Sequence, residues 1–307
     1  MKKTLLYSLI ASLFLIFLTA CGNDSSSTKE TKKEETSYTV TDDRGKEITL
    51  KKVPETVVSL QPSNTEILFA LGAGDKIVGA TEYDTYPEEA KKIKRVGDTM
   101  TVNAEAVIAL NPDAVIAYTN GDDKGIKQLE DTGIPVFVIS SAQTFEDVYG
   151  NIEQIASVMG VKEKGDELVS GIKKQVANVQ EKIASVKEKE RVYYEVSPAP
   201  DIFTAGSETF QQEILNNAGV ENVFADQKGW VKISEEEIVK RNPDTILTPG
   251  SEDPVKEFKS RAGWDQINAV KNEKIYSLDT EIMSRPGPRI GEAVELTAKT
   301  VYPDLFK

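Results

Sequence analysis

The chain has 307 residues, with 50 acidic against 37 basic side chains, no histidine and a single cysteine, for a formal charge of −13. That balance argues against a nucleic-acid partner, which would demand a basic face to neutralise phosphates. The missing histidine excludes Ser/His/Asp and Cys/His nucleophile systems, and the lone cysteine excludes a disulfide framework.

At the start, Lys2-Lys3, an apolar core from Leu5 to Leu18 and the closing Leu18-Thr19-Ala20-Cys21 have the parts of a secretory leader cut before a cysteine. The core is well short of the ~20 residues that span a bilayer. Residues 1–20 are therefore expected to be a lipoprotein signal peptide, and Cys21 the lipidated N-terminus of a protein held at the outer face of the cell membrane. Loss of Lys2 and Lys3 with the leader leaves 35 basic and 50 acidic side chains, a charge of −15. Residues 22–37 carry no apolar group larger than a methyl, so nothing there offsets the entropy of ordering, and 21–37 reads as a tether.

From Tyr38 the pattern changes. Tyr38–Asp42 and Glu47–Leu50 flank Asp43-Arg44-Gly45, a hairpin signal. Val57–Leu60, Ile77–Ala80, Ala114–Tyr118 and Val136–Ile139 are short apolar runs separated by segments of helical spacing, the rhythm of βα units around a parallel sheet. Residues 161–186 lack proline, and Leu168, Ile172, Val176, Val179 and Ile183 form one helical stripe. The α/β rhythm then restarts at Val192–Val196, Thr245–Thr248 and Lys274–Leu278. The expected fold is α/β: two Rossmann-like lobes with mostly parallel sheets, residues 38–158 and 188–307, joined by a single long α-helix within 159–187.

The second lobe repeats the first. Residues 102–113 align without gaps on 233–244, both ending in Asn-Pro-Asp before an apolar strand. Glu66-Ile67-Leu68 and Gly72 likewise match Glu213-Ile214-Leu215 and Gly219. Two repeats in the same order imply duplicated lobes, and a cleft between lobes is where a small ligand would sit.

Three segments carry a resemblance: Ser59–Glu66, Ala109–Asp113 and Arg285-Pro286-Gly287-Pro288-Arg289. With them the chain resembles the substrate-binding proteins of ABC importers for iron–siderophore complexes, haem and vitamin B12, and looks most similar to the vitamin B12 binders. The resemblance implies no enzyme, no cofactor and no metal site. It implies a monomer that docks on a permease dimer and its ATPase, and a metal-chelate ligand, cobalamin or alternatively a ferric siderophore or haem. It places ligand contacts on Tyr83, Phe203, Trp230, Glu281 and Arg285. Glu281 stands where the family has aspartate, and a tryptophan of the B12 pattern falls on Thr99, which removes a stacking surface.

Glu105 and Glu236 follow the cap residues Asn103 and Ser234 by two positions, so both are expected in first helical turns, where an acid gains from the macrodipole. Ser234 with Glu237 reads as a capping box. The symmetric pair coincides with the family's two docking glutamates, which meet arginines on the permease. A carboxylate-dependent envelope enzyme and a purely scaffolding lipoprotein are the readings from other classes.

Overall fold

Strands form where β-branched and apolar residues can be buried on both faces at once. The computed structural model describes residues 37–118 and 123–307; the expected leader, Cys21 and nearly all of the tether lie outside the described residues. In chain order the first part comprises β1 (Tyr38–Thr41), β2 (Glu47–Leu50), β3 (Val57–Ser59), α1 (Pro62–Ala70), β4 (Ile77–Gly79), α2 (Ala104–Ile108), β5 (Ala114–Tyr118), α3 (Asp123–Glu130), β6 (Val136–Ile139) and α4 (Phe145–Val158). α5 (Lys162–Ile183) follows. The remainder comprises β7 (Arg191–Ser197), β8 (Phe203–Ala205), α6 (Phe210–Asn217), β9 (Glu221–Asn222), β10 (Trp230–Lys232), α7 (Glu235–Arg241), β11 (Thr245–Pro249), α8 (Pro254–Lys259), α9 (Asn268–Lys271), β12 (Ile275–Leu278), α10 (Thr280–Ser284) and α11 (Ile290–Val301).

β1 and β2 pair as the expected antiparallel hairpin. The first sheet runs β4-β3-β5-β6, every pair parallel. After α5 the order β9-β7-β11-β12 repeats it, again all parallel. β8 and β10 extend the second sheet in antiparallel sense. The repeat extends to the turns: Asn111 and Asn242 both take left-handed conformations, with φ of 47° and 45°, where each helix ends before its strand. Asparagine tolerates that region better than other residues with a Cβ.

Side chains alternate across each strand, and the apolar ones separate into three layers. Val57, Ile116, Phe137 and Ile139 join a central core with α1, α4 and α5, while Val58, Val115, Ala117 and Val138 face a separate outer core. In the second sheet Tyr194 and Leu247 join the same central core, and Tyr193 and Ile246 face another outer one. The two sheets thus share one packed layer. Phe145 of α4 meets Phe210 of α6 within it, ring centroids 6.1 Å apart.

Two helices differ from their expected forms, the long helix first. It spans 22 residues, Lys162–Ile183, and its buried stripe is Gly165, Val169, Ile172, Val176, Val179 and Ile183, with Leu168 only half-buried. Gly165 is needed there because a Cβ would lie 2.6 Å from that of Ala156 on α4. The other difference concerns the cap of α7: Ser234 accepts the Glu237 N–H at 3.2 Å, but the Glu237 carboxylate turns to Arg241 Nε at 2.9 Å and does not close a capping box. The charge-assisted bond to arginine is the stronger of the two options.

Candidate ligand-binding site

The carboxyl ends of parallel strands leave a crevice where the connections diverge, and ligands of α/β sheets collect there. α1 leaves β3 through Leu60 and Gln61, and no side chain caps it. On the opposite wall, α10 begins at the Asp279 cap, which accepts the Ile282 N–H at 2.9 Å. Between them lies a cleft of about 300 Å³, lined by Gln61, Pro62, Ser63, Tyr83, Thr99, Thr280, Glu281, Ser284, Arg285 and Pro286. Tyr83, Glu281 and Arg285 of the expected contacts therefore share one cavity, and Thr99 lines it as well.

Tyr83 is presented by a stiff loop. Asp84 is fully buried and accepts the Thr81 N–H at 3.0 Å and the Thr81 hydroxyl, while Arg95 Nη2 donates to the Asp84 carbonyl at 2.9 Å. Burial holds the Asp84 carboxyl above its usual range, outweighing the hydrogen bonds from Thr65 and Thr81 and the Arg95 charge. Tyr83 itself is 56% exposed.

Beneath the cleft an ion network crosses between the two halves of the chain. Glu66 on α1 is 2% exposed. Arg289 grips its carboxylate with two bonds, 2.7 Å from Nε and 2.6 Å from Nη2, and Arg285 Nη1 adds a third at 2.9 Å. Arg285 Nη2 also donates to the Tyr83 carbonyl at 2.9 Å, to the Thr85 hydroxyl at 2.6 Å and to Glu281 at 3.0 Å. The Arg289 guanidinium lies 4.0 Å from the centre of the Tyr86 ring, within cation–π range. Arg285, expected as a ligand contact, is at the same time a strut between the lobes, and Glu66 and Arg289 were not singled out for any role. Their contacts span more than 200 positions, and the sequence signals were their place in the motif segments and, for Glu66, its match to Glu213 in the repeat.

Phe203 and Trp230 lie on the short antiparallel pair β8–β10, where the register sets Trp230 opposite Ala205 and Lys232 opposite Phe203. That pairing puts both aromatic residues on one face, the face on which Ala205 joins the central core. Phe203 is half-buried, and Trp230 is 46% exposed. Neither lines the cavity between α1 and α10. Trp230 reaches its margin through Gln211, whose amide touches both the indole and the Met283 carbonyl, next to Ser284. Met100, beside Thr99, is the most exposed large apolar side chain of the described residues at 70%. Its turn is fixed by Asp98, which accepts the N–H groups of Met100 and Thr101 at 2.8 and 2.7 Å.

Glu105 and Glu236 occupy first turns of α2 and α7, both exposed. Asn103 caps α2 by accepting the Ala106 N–H at 3.1 Å. Bonds from its own backbone N–H and from Ser234 hold the Glu236 carboxyl below its usual range.

The family model for periplasmic binding proteins matches residues 57–282, both sheets and the helix between them. The chain belongs to the periplasmic binding protein family. It is 44% identical over 303 residues to YvrC of Bacillus subtilis, an uncharacterized ABC transporter substrate-binding lipoprotein, with 96% of each chain covered. The vitamin B12-binding protein of Vibrio parahaemolyticus is 32% identical over 243 residues, covering 78% of this chain and 86% of that one. Among solved structures, a possible iron-binding periplasmic protein of Staphylococcus epidermidis superposes with a TM-score of 0.74 at 37% identity, covering 82% of this chain and all of that one. This periplasmic binding protein is accordingly the substrate-binding component of an ABC importer. It works outside the cytoplasm with a permease as partner, and it binds its substrate without transforming it.

Proposed function

We propose that the protein captures a corrinoid at the cleft and hands it to the permease while tethered by lipid on Cys21. The observation that carries this reading is the combination of a charge-balanced cavity with an apolar rim. Glu281 and Arg285 are its two charged lining residues and they pair with each other. Tyr83, Tyr86, Met100 and Trp230 are the exposed large apolar side chains of the described residues. Three belong to the two first-lobe loops that supply Tyr83 and Thr99 to the cavity, and the fourth is tied to α10. A broad disc with neutral amide edges matches such a surface, because aromatic faces supply contact area and the few polar groups supply orientation. An anionic ferric catecholate needs surplus cations, and Arg285 and Arg289 are already matched by Glu66 and Glu281. The 32% identity to a vitamin B12-binding protein supports the same ligand.

A ferric siderophore or haem is the second reading, favoured by the likeness to a possible iron-binding protein. Absorbance distinguishes the two. Protein incubated with a mixture of cobalamin and ferric complexes and then desalted is expected to retain the red cobalamin spectrum; retention of an orange-brown ferric spectrum instead would refute the corrinoid reading.

Within this proposal Tyr83, Phe203, Trp230, Glu281 and Arg285 touch the ligand, and Glu105 and Glu236 meet the permease. Removing the indole in Trp230→Ala is expected to weaken cobalamin binding by about 1–3 kcal/mol, the contact area of a large ring. Calorimetry with unchanged affinity would take Trp230 out of the site. The shared core layer and the Glu66 network also leave little room for a hinge. X-ray scattering with and without cobalamin is expected to give the same radius of gyration, and a change of several ångströms would contradict a rigid joint.

A further inference from the structure

Trp230 is nearly half exposed, yet its ring is anchored. The indole N–H can only donate, and it meets Gln211 Oε1 at 3.0 Å. The other end of that amide, Nε2, donates to the Met283 carbonyl at 3.4 Å. Gln211 is itself 6% exposed, on the first turn of α6, where Thr209 caps the helix by accepting the Gln212 N–H at 3.2 Å. A carbonyl has only lone pairs and an indole only its N–H, so these two partners together demand one acceptor and one donor from a single side chain. A primary amide supplies both; a carboxylate of the same length supplies two acceptors. Met283 sits on α10 between Glu281 and the C-cap residue Arg285, so one buried amide connects the exposed aromatic of β10 to the helix that carries Glu281 and ends at Arg285.

We propose that Gln211 is a positioning residue that holds the Trp230 ring in a single orientation before ligand arrives, so that binding need not order it. The proposal rests on the reading of Trp230 as a ligand contact. Its test uses the mature protein and two variants. Gln211→Met keeps length and burial without either polar contact, and Gln211→Glu keeps an acceptor for the indole but sets another acceptor against the Met283 carbonyl. Trp264, the other tryptophan, is fully buried, so acrylamide-quenchable emission reports Trp230 and unquenched emission reports the intact core.

In Gln211→Met the quenchable indole is expected to gain a fast component in its anisotropy decay. Cyanocobalamin affinity is expected to fall about three- to tenfold, as for a lost hydrogen bond, with Trp264 emission unchanged. Gln211→Glu is expected to lose affinity to a similar extent. Wild-type anisotropy and wild-type affinity in both variants would overturn the proposal. A mobile ring with unchanged affinity would overturn it too, by showing that Trp230 does not touch the ligand. If the wild-type protein fails to bind cyanocobalamin, the ligand reading falls separately, and the anisotropy of the unliganded variants still decides whether Gln211 holds the ring.

Discussion

Replacing Glu66 by alanine is expected to destabilise the protein by about 3–5 kcal/mol, the cost of leaving buried charge unpaired. Glu66 is the shared anion of two guanidinium groups, and Arg289 is 7% exposed. Without Glu66, Arg289 keeps the Tyr86 face and the charge of Glu292, whereas Arg285 keeps Glu281, Thr85 and the Tyr83 carbonyl. The two cations would then repel across the space the carboxylate filled. A loss of this size is a large part of the ~5–15 kcal/mol that holds an ordinary domain folded. Urea unfolding checks it, with a lower midpoint at unchanged slope. The triple variant Glu66→Leu, Arg285→Leu, Arg289→Leu is expected to regain much of the loss, since a packed apolar cluster often matches a buried ion network in stability. A single Glu66→Ala variant within about 1 kcal/mol of wild type would show that the network is solvated and carries little.

Uptake is expected to be abolished in the double variant Glu105→Lys, Glu236→Lys, while ligand binding stays at its wild-type value. Both side chains are exposed on first turns of equivalent helices, one in each half of the chain, and neither lines the cleft. Lysines there would face the arginines that the proposed docking surface of the permease presents, a like-charge juxtaposition worth several kcal/mol. The fold would lose only the favourable helix-dipole interactions, ~0.3–1 kcal/mol each. Cells lacking the native protein and carrying the variant report the result. Wild-type uptake with normal ligand binding would remove both glutamates from the docking surface.

The parallel strands were legible because burial on both faces leaves unbroken apolar runs, as in Ala114–Tyr118 and Val136–Ile139, whose bounds the structure reproduces. The duplication was legible because a turn that closes a helix before a strand needs the same chemistry each time, and Asn111 and Asn242 satisfy it with the same left-handed backbone. β8 and β10 were not legible. Each has three residues, too few for alternation to register, and both lie in segments interrupted by Pro200, Gly206 and Gly229. The cleft was legible in part. Tyr83, Glu281 and Arg285 meet in one cavity, but Arg285 is also bound to Glu66 across 219 positions, a contact to which no local pattern points. Gln211 was hidden for the same reason: nothing in a helix start announces that its amide will fit between an indole and a carbonyl on two other elements.

Calorimetric titration of the mature protein with cyanocobalamin, a ferric catecholate siderophore and haemin tests the central claim most directly. A charge-balanced cleft with an apolar rim predicts one-to-one binding of cyanocobalamin and no measurable heat from the two anionic complexes. Saturable binding of either anionic complex, with none of cyanocobalamin, would contradict it.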